Sequence, residues 1–175
     1  MTARSPVPAT LDTLATTDSL TGLAGRGVLE ARLEEEVRRA RRYGRVLSVL
    51  MCDVDGLKQI NDTHGNSAGD AVLCAVADLL EAVIRPSDLV GRWDGDDFLA
   101  ICPEVSAEGA WHLARKLVRG ARQPLHVRGR LVQPAISVGW STAGSDVSGV
   151  SLLSAARTDL DDAKARAAGA FWHTG

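Results

Sequence analysis

The chain has 175 residues, 45% hydrophobic and 24% charged, with a formal net charge of −2, which suits one ordinary globular domain with a real core. That balance gives no general reason to expect a nucleic-acid partner. Apolar runs such as 46–52 are too short to cross a bilayer, and no cationic start with an apolar segment suggests a secretory signal, so the chain reads as cytoplasmic.

Residues 1–17, rich in Ser, Thr, Pro and Ala without periodicity, read as a flexible tail or linker before a domain over 18–175. A helix is expected over 26–42, with Val28, Leu29, Leu33 and Val37 on one face. Its Glu34–Arg38 and Glu35–Arg39 pairs have the favourable order, and its basic end suits the helix dipole. The β-branched run 46–54 reads as a buried strand, followed by a short helix over 57–62. A longer helix over 68–84 repeats Val72, Leu73, Val76, Leu79, Leu80 and Val83 at helical spacing before Pro86 ends it. Strands over 89–93 and 98–102 form a hairpin around an acidic turn. An amphipathic helix covers 107–119, a second hairpin pairs 125–127 with 131–140, and a last helix spans 152–168. This order contains βαββαβ, an α+β fold with a mainly antiparallel central sheet flanked by helices.

Cys52, Cys74 and Cys102 are odd in number, widely spaced and set in apolar runs, which makes them buried free thiols rather than a zinc site. The four histidines (64, 112, 126, 173) show no ligand spacing either.

The hairpin turn carries Asp94, Asp96 and Asp97 within four residues around an Asp-Gly pair, a strong tight-turn signal. Asp53 and Asp55 end the first long strand, and a βαββαβ sheet can set those two places side by side. Two readings stand: turn acids at strand ends, or carboxylates gathered for Mg²⁺, which takes one or two of them and leaves the rest to water and phosphate oxygens. Two such ions would activate an attacking hydroxyl and neutralise a triphosphate. Asp70 reads either as an acid at a helix N-terminus or, with Asn61, as a partner for a guanine edge. Periodicity does not choose between these.

The run from Asp53 to Asp70, DVDGLKQINDTHGNSAGD, resembles the long GGDEF-family motif D-x-D-x-x-K-x-x-N-D-x-x-G-H-x-x-G-D. Upstream, Asp18-Ser19-Leu20-Thr21-Gly22-Leu23 is similar to the family's D-x-L-T-G-L, and the likeness runs from about 18 to 168. The resemblance implies a ferredoxin-like, palm-type core and bacterial second-messenger signalling. In that family two GTP molecules, one on each subunit of a homodimer, are joined into cyclic di-GMP with Mg²⁺ or Mn²⁺. By position, Asp53, Asp96 and the Val54 carbonyl would hold the metal. Asp97 would stand where the family has a catalytic Glu. Lys58 and Lys164, with backbone N–H groups at Gly56 and Leu57, would meet the phosphates, Lys58 also serving catalysis. Asn61 and Asp70 would read guanine. Arg85-Pro86-Ser87-Asp88, by itself an ordinary helix end and turn, resembles the family's R-x-x-D inhibitory site, where Arg85 and Asp88 would bind cyclic di-GMP.

The chain also departs from the family pattern. Asp94 replaces the first Gly of the signature, giving DGDDF, and so adds a Cβ and a charge where nucleotide packs close. One like-charge pair at about 4 Å and an effective dielectric of about 20 costs about 4 kcal/mol before solvent and metal reduce it. Asp97 is one methylene shorter than Glu, and a carboxylate displaced by about 1 Å loses on the order of 10²-fold. The last helix reads Ala156-Arg157-Thr158-Asp159-Leu160-Asp161-Asp162-Ala163-Lys164-Ala165-Arg166-Ala167-Ala168-Gly169 against A-D-x-A-L-Y-x-A-K-x-x-G-R-N. Lys164 is kept and Ala168 replaces an Arg, while Arg166 lies about 200° away around the helix. Asn66 for His and Gly25 for Asn are milder changes. Three functions follow: a domain that binds GTP or cyclic di-GMP with weak or absent turnover, a slow diguanylate cyclase, or a nucleotide-independent protein-interaction domain.

Overall fold

The structure is a computed structural model that describes residues 16–144 and 148–171, apart from the side chains of 167–171. In chain order its elements are α1 (Arg26–Tyr43), β1 (Leu47–Val54), α2 (Leu57–His64), α3 (Asn66–Val83), β2 (Leu89–Asp94), β3 (Asp97–Pro103), α4 (Ala107–Ala121), β4 (Leu125–Val127), β5 (Arg130–Val132), β6 (Ile136–Ala143) and α5 (Gly149–Phe171). The strand order β2-β3-β1-β6, antiparallel throughout, is that of the expected α+β, βαββαβ sheet. Of the tail expected over 1–17, residues 1–15 lie outside the described residues, while Thr17 bridges to Ala24.

All eight residues of β1 are buried, because the strand is covered on both faces. Leu50, Cys52 and Val54 pack with Val72, Val76 and Leu80 of α3 and Leu117 of α4. Leu47, Val49 and Met51 point the other way, into Leu29 and Leu33 of α1 and Leu152 and Leu160 of α5. The period of two along the strand therefore sorts side chains between two cores. Gly139 of β6 lets α5 come close, since a Cβ there would collide with the helix backbone at Ala156 and Leu160. The Trp140 N–H donates to Asp159 Oδ2 at 3.0 Å and ties the same helix to the sheet.

Three expectations change in detail. The strand expected over 131–140 is two strands: β5 pairs only with β4, and β6 starts at Ile136 and joins the main sheet. Pro134 lies between them, and a residue without an N–H cannot donate to a ladder. The short hairpin turns on Arg128 and Gly129, both at positive φ, as its right-handed twist demands. Secondly, α3 starts at Asn66, so Asp70 lies in its second turn and is no N-terminal cap; Gly65 holds that place with φ +87°. Thirdly, α5 begins at Gly149, three residues early. No described helix is long and apolar enough to cross a membrane.

Candidate functional site

Asp53 is one residue from the end of β1 and continues the series Leu47, Val49, Met51 on the α1/α5 side of the sheet. Register pairs it with Asp97, which heads the Leu99, Ile101 series on the same side. Two carboxylates thus face α5 at one end of the two central strands. Lys164 of α5 places Nζ 2.5 Å from Asp53 Oδ2. Burial pushes the Asp53 carboxyl up to about 6 against the pull of Lys164, and the charges of Asp96 and Asp97 act in the same direction as burial.

The hairpin supplies the third acid. Its two turn residues are Gly95 and Asp96 rather than the Asp94-Gly95 pair of the sequence signal, with φ +44° at Gly95. A bulge at Trp93 puts one extra residue on β2, so that Asp94 pairs with Asp97 and Asp96 reaches the strand ends. The Asp96 carbonyl accepts from the Val54 N–H at 3.2 Å. Carboxylate oxygens of Asp53, Asp96 and Asp97 all lie within 4.8 Å of one another, a donor set of hard oxygens that fits Mg²⁺ or Mn²⁺. Asp94 is exposed at the tip and stands apart from this group. Asp55 is also apart: its N–H donates to the Ala135 carbonyl at 2.9 Å and its Oδ1 accepts from the Ser137 hydroxyl at 2.8 Å.

A cleft of about 710 Å³ opens beside the cluster, lined by Asp53, Gly56, Ile60, His64, Gln133 and Lys164 among others. Gly56 precedes α2 at φ +67°, and no side chain caps that helix, so its N-terminus is available to an anion. Lys58 is exposed in the first turn of α2. Asn61 lies against Gly69 of α3, where any Cβ would collide with its Oδ1. That Oδ1 is buried without a hydrogen-bond partner, a costly arrangement. Asp70 is exposed one residue further along α3. On the far side of the hairpin, Arg85 and Asp88 line a separate pocket of about 310 Å³, and the Asp88 N–H closes a turn onto the Arg85 carbonyl at 3.0 Å. Ala168 falls in the part of α5 whose side chains lie outside the described residues.

Arg157 was not among the residues singled out by sequence, yet it reaches the cluster. Its guanidinium donates to both oxygens of Asp97, at 3.1 and 2.7 Å. The carboxylate holds the Arg157 guanidinium above its usual range, outweighing the opposite effect of burial. A signal was present: Arg157 stands at the Asp of the family's A-D-x-A-L-Y string, a reversal of charge.

The family profile described as "Diguanylate cyclase, GGDEF domain" matches residues 15–169. The chain belongs to the GGDEF family. Among curated relatives it is 35% identical over 151 residues to diguanylate cyclase DgcP of Pseudomonas aeruginosa, covering 86% of this chain and 22% of that protein. It is 35% identical over 156 residues to the response regulator PleD of Caulobacter vibrioides, covering 87% and 34% respectively. It therefore spans about a fifth to a third of these relatives' length. Among solved structures, the GGDEF domain of DgcB from Caulobacter crescentus in complex with c-di-GMP superposes with a TM-score of 0.83 at 27% identity, covering 86% of this chain and 90% of that one. Diguanylate cyclase SiaD of Pseudomonas aeruginosa, solved with its activator SiaC, gives 0.82 at 33% identity, covering 89% and 61%. As a GGDEF domain, the chain carries its signature on β2, the turn and β3, and its long motif on β1, α2 and the start of α3.

Proposed function

We propose that this GGDEF domain holds GTP with Mg²⁺ or Mn²⁺ in the acidic cleft, binds cyclic di-GMP at Arg85 and Asp88, and turns GTP over slowly or not at all. The observation that carries the reading is the gathering of Asp53, Asp96 and Asp97, with Asp53 also lining a cleft that includes Gly56 at the open N-terminus of α2. Asp53, Asp96 and the Val54 carbonyl hold the metal in this reading. A bound divalent ion there supplies neutralising charge to the triphosphate and acidifies an attacking hydroxyl. The backbone at Gly56 and Leu57, with Lys58 and Lys164, receives the phosphates. Asn61 and Asp70 take the guanine edge, and the unpartnered Asn61 Oδ1 supports that assignment. Asp97 is the carboxylate left to serve the hydroxyl.

Three features weaken turnover, one of them Ala168, which stands in place of the family's Arg on the last helix. Asp94 sets a negative charge at the hairpin tip, where nucleotide phosphates approach. Asp97 is short and already engaged by Arg157. Incubation of the purified protein with GTP and Mg²⁺ or Mn²⁺, followed by chromatography, is expected to give little or no cyclic di-GMP, and calorimetry is expected to show GTP binding. The Asp94→Gly, Ala168→Arg double variant regains product. Rapid turnover by the parent would overturn the weak-turnover reading in favour of an ordinary homodimeric cyclase. Absence of GTP binding would favour a nucleotide-independent interaction domain. For the second pocket, heat from cyclic di-GMP disappears in Arg85→Ala; no heat with the parent sinks that assignment.

A further inference from the structure

We propose that Arg157 is a built-in counter-ion that makes this acidic cleft a one-metal centre, its guanidinium standing in for a second divalent cation. The inference rests on the metal-site reading given above. Its basis is the two-point contact with Asp97, in which each carboxylate oxygen faces a guanidinium nitrogen, at 3.1 and 2.7 Å. A planar fork on a planar carboxylate is the most directional of ion pairs, and it leaves Asp97 with both oxygens already engaged. The Asp97 side chain is only 14% exposed, so little water is at hand to replace the guanidinium if it leaves.

Charge and anchoring point the same way. Three carboxylates meet two cations from one helix, Arg157 on Asp97 and Lys164 on Asp53. The cations are seven residues apart, two turns along α5, and so project from one face of it. Together they leave a single negative charge in the cluster, which one divalent ion more than neutralises. A second ion needs Asp97 released. Arg157 cannot simply back away, because the adjacent backbone at Ala156 and Leu160 is pressed against Gly139 and Asp159 is bonded to the Trp140 N–H. Freeing Asp97 takes a new Arg157 rotamer and breaks both hydrogen bonds of the pair.

The test counts ions. Mn²⁺ bound per chain is measured from the electron paramagnetic resonance of free Mn²⁺, with saturating α,β-methylene GTP and a nucleotide-only blank. The parent takes up one ion per chain. Arg157→Ala and the bulkier neutral Arg157→Gln take up two, and Arg157→Lys, which keeps the charge, stays at one. Two ions in the parent would mean that Arg157 yields Asp97 to the metal and would overturn the inference alone. So would a single ion in both neutral variants once circular dichroism shows either of them folded. No bound ion in the parent or any variant would overturn the metal-site reading itself, and this inference with it.

Discussion

Asp18 and Arg92, seventy-four positions apart, form an ion pair in which one guanidinium nitrogen lies 3.2 Å from each carboxylate oxygen. The same carboxylate accepts from the Thr21 N–H and hydroxyl, at 2.8 and 2.7 Å, and so closes the turn that opens the domain. Arg92 in turn donates from Nε to the Gly95 carbonyl at 2.8 Å. One arginine thus ties the entry turn to the tip of the acidic hairpin. Beside it, Gly91 allows the Ala24 carbonyl to lie where a Cβ would otherwise be.

Removing Asp18 leaves Arg92 partly buried and short of its partner. Asp18→Ala is expected to lower stability by about 1–3 kcal/mol, read from urea denaturation. An unchanged midpoint would show that solvent replaces the carboxylate at no cost.

The same pair sets a pH dependence. Burial raises the Asp18 carboxyl, but the hydrogen bonds from Thr21 and the Arg92 charge outweigh it and hold the group below its ordinary value of 3.8. A carboxylate depressed on folding contributes stability above its unfolded value and loses it as pH falls through the folded one. The stability gap between the parent and Asp18→Asn is therefore full at pH 6 and closes below about pH 4. A gap that does not shrink as pH falls below about 4 would contradict this.

Gly69→Ala tests the guanine assignment. A methyl group there drives the Asn61 amide from its place, while alanine in a helix interior offsets part of the strain. Stability is expected to change by less than about 1 kcal/mol. GTP affinity, by calorimetry, falls about tenfold, the loss of roughly one hydrogen bond of about 1.4 kcal/mol. Equal affinity in parent and variant would remove Asn61 from the nucleotide site.

Gly139→Ala meets backbone rather than a movable side chain, so α5 must shift as a whole. Overpacking of this kind costs about 1–3 kcal/mol, and the shift separates Arg157 from Asp97 and Lys164 from Asp53. The melting temperature is expected to fall. A variant as stable as the parent would show that the helix has room to move.

The cysteines are expected to be inert. Cys52 and Cys102 are fully buried, and burial pushes the Cys52 thiol up to about 12, with the charges of Asp97 and Asp53 adding to it. Cys74 is half-buried, and burial raises its thiol as well. Titration with a disulfide reagent should modify at most one of the three thiols in the native protein and all three in denaturant.

Helices and strands were legible because their cause is local: apolar spacing along each element and a Pro just after the end of α3. The long motif from Asp53 to Asp70 was legible for the same reason, since its residues sit on one strand and the two helices after it. Pro134 was in plain view, yet a continuous strand was read through it, because alternation alone does not say which sheet a strand joins.

The acidic hairpin shows where the division falls. By itself the sequence determined an antiparallel-rich α+β fold, a tight turn loaded with aspartates and the family to which both belong. Only tertiary structure decided which acids meet. Register set Asp53 opposite Asp97, a bulge at Trp93 brought Asp96 inward and left Asp94 at the tip, and Ser137 took Asp55 out of the group. Arg157 lies sixty residues from Asp97, and its reach depends on how α5 rotates and how closely Gly139 lets it pack. Those are properties of side chains meeting across layers, and no local pattern records them.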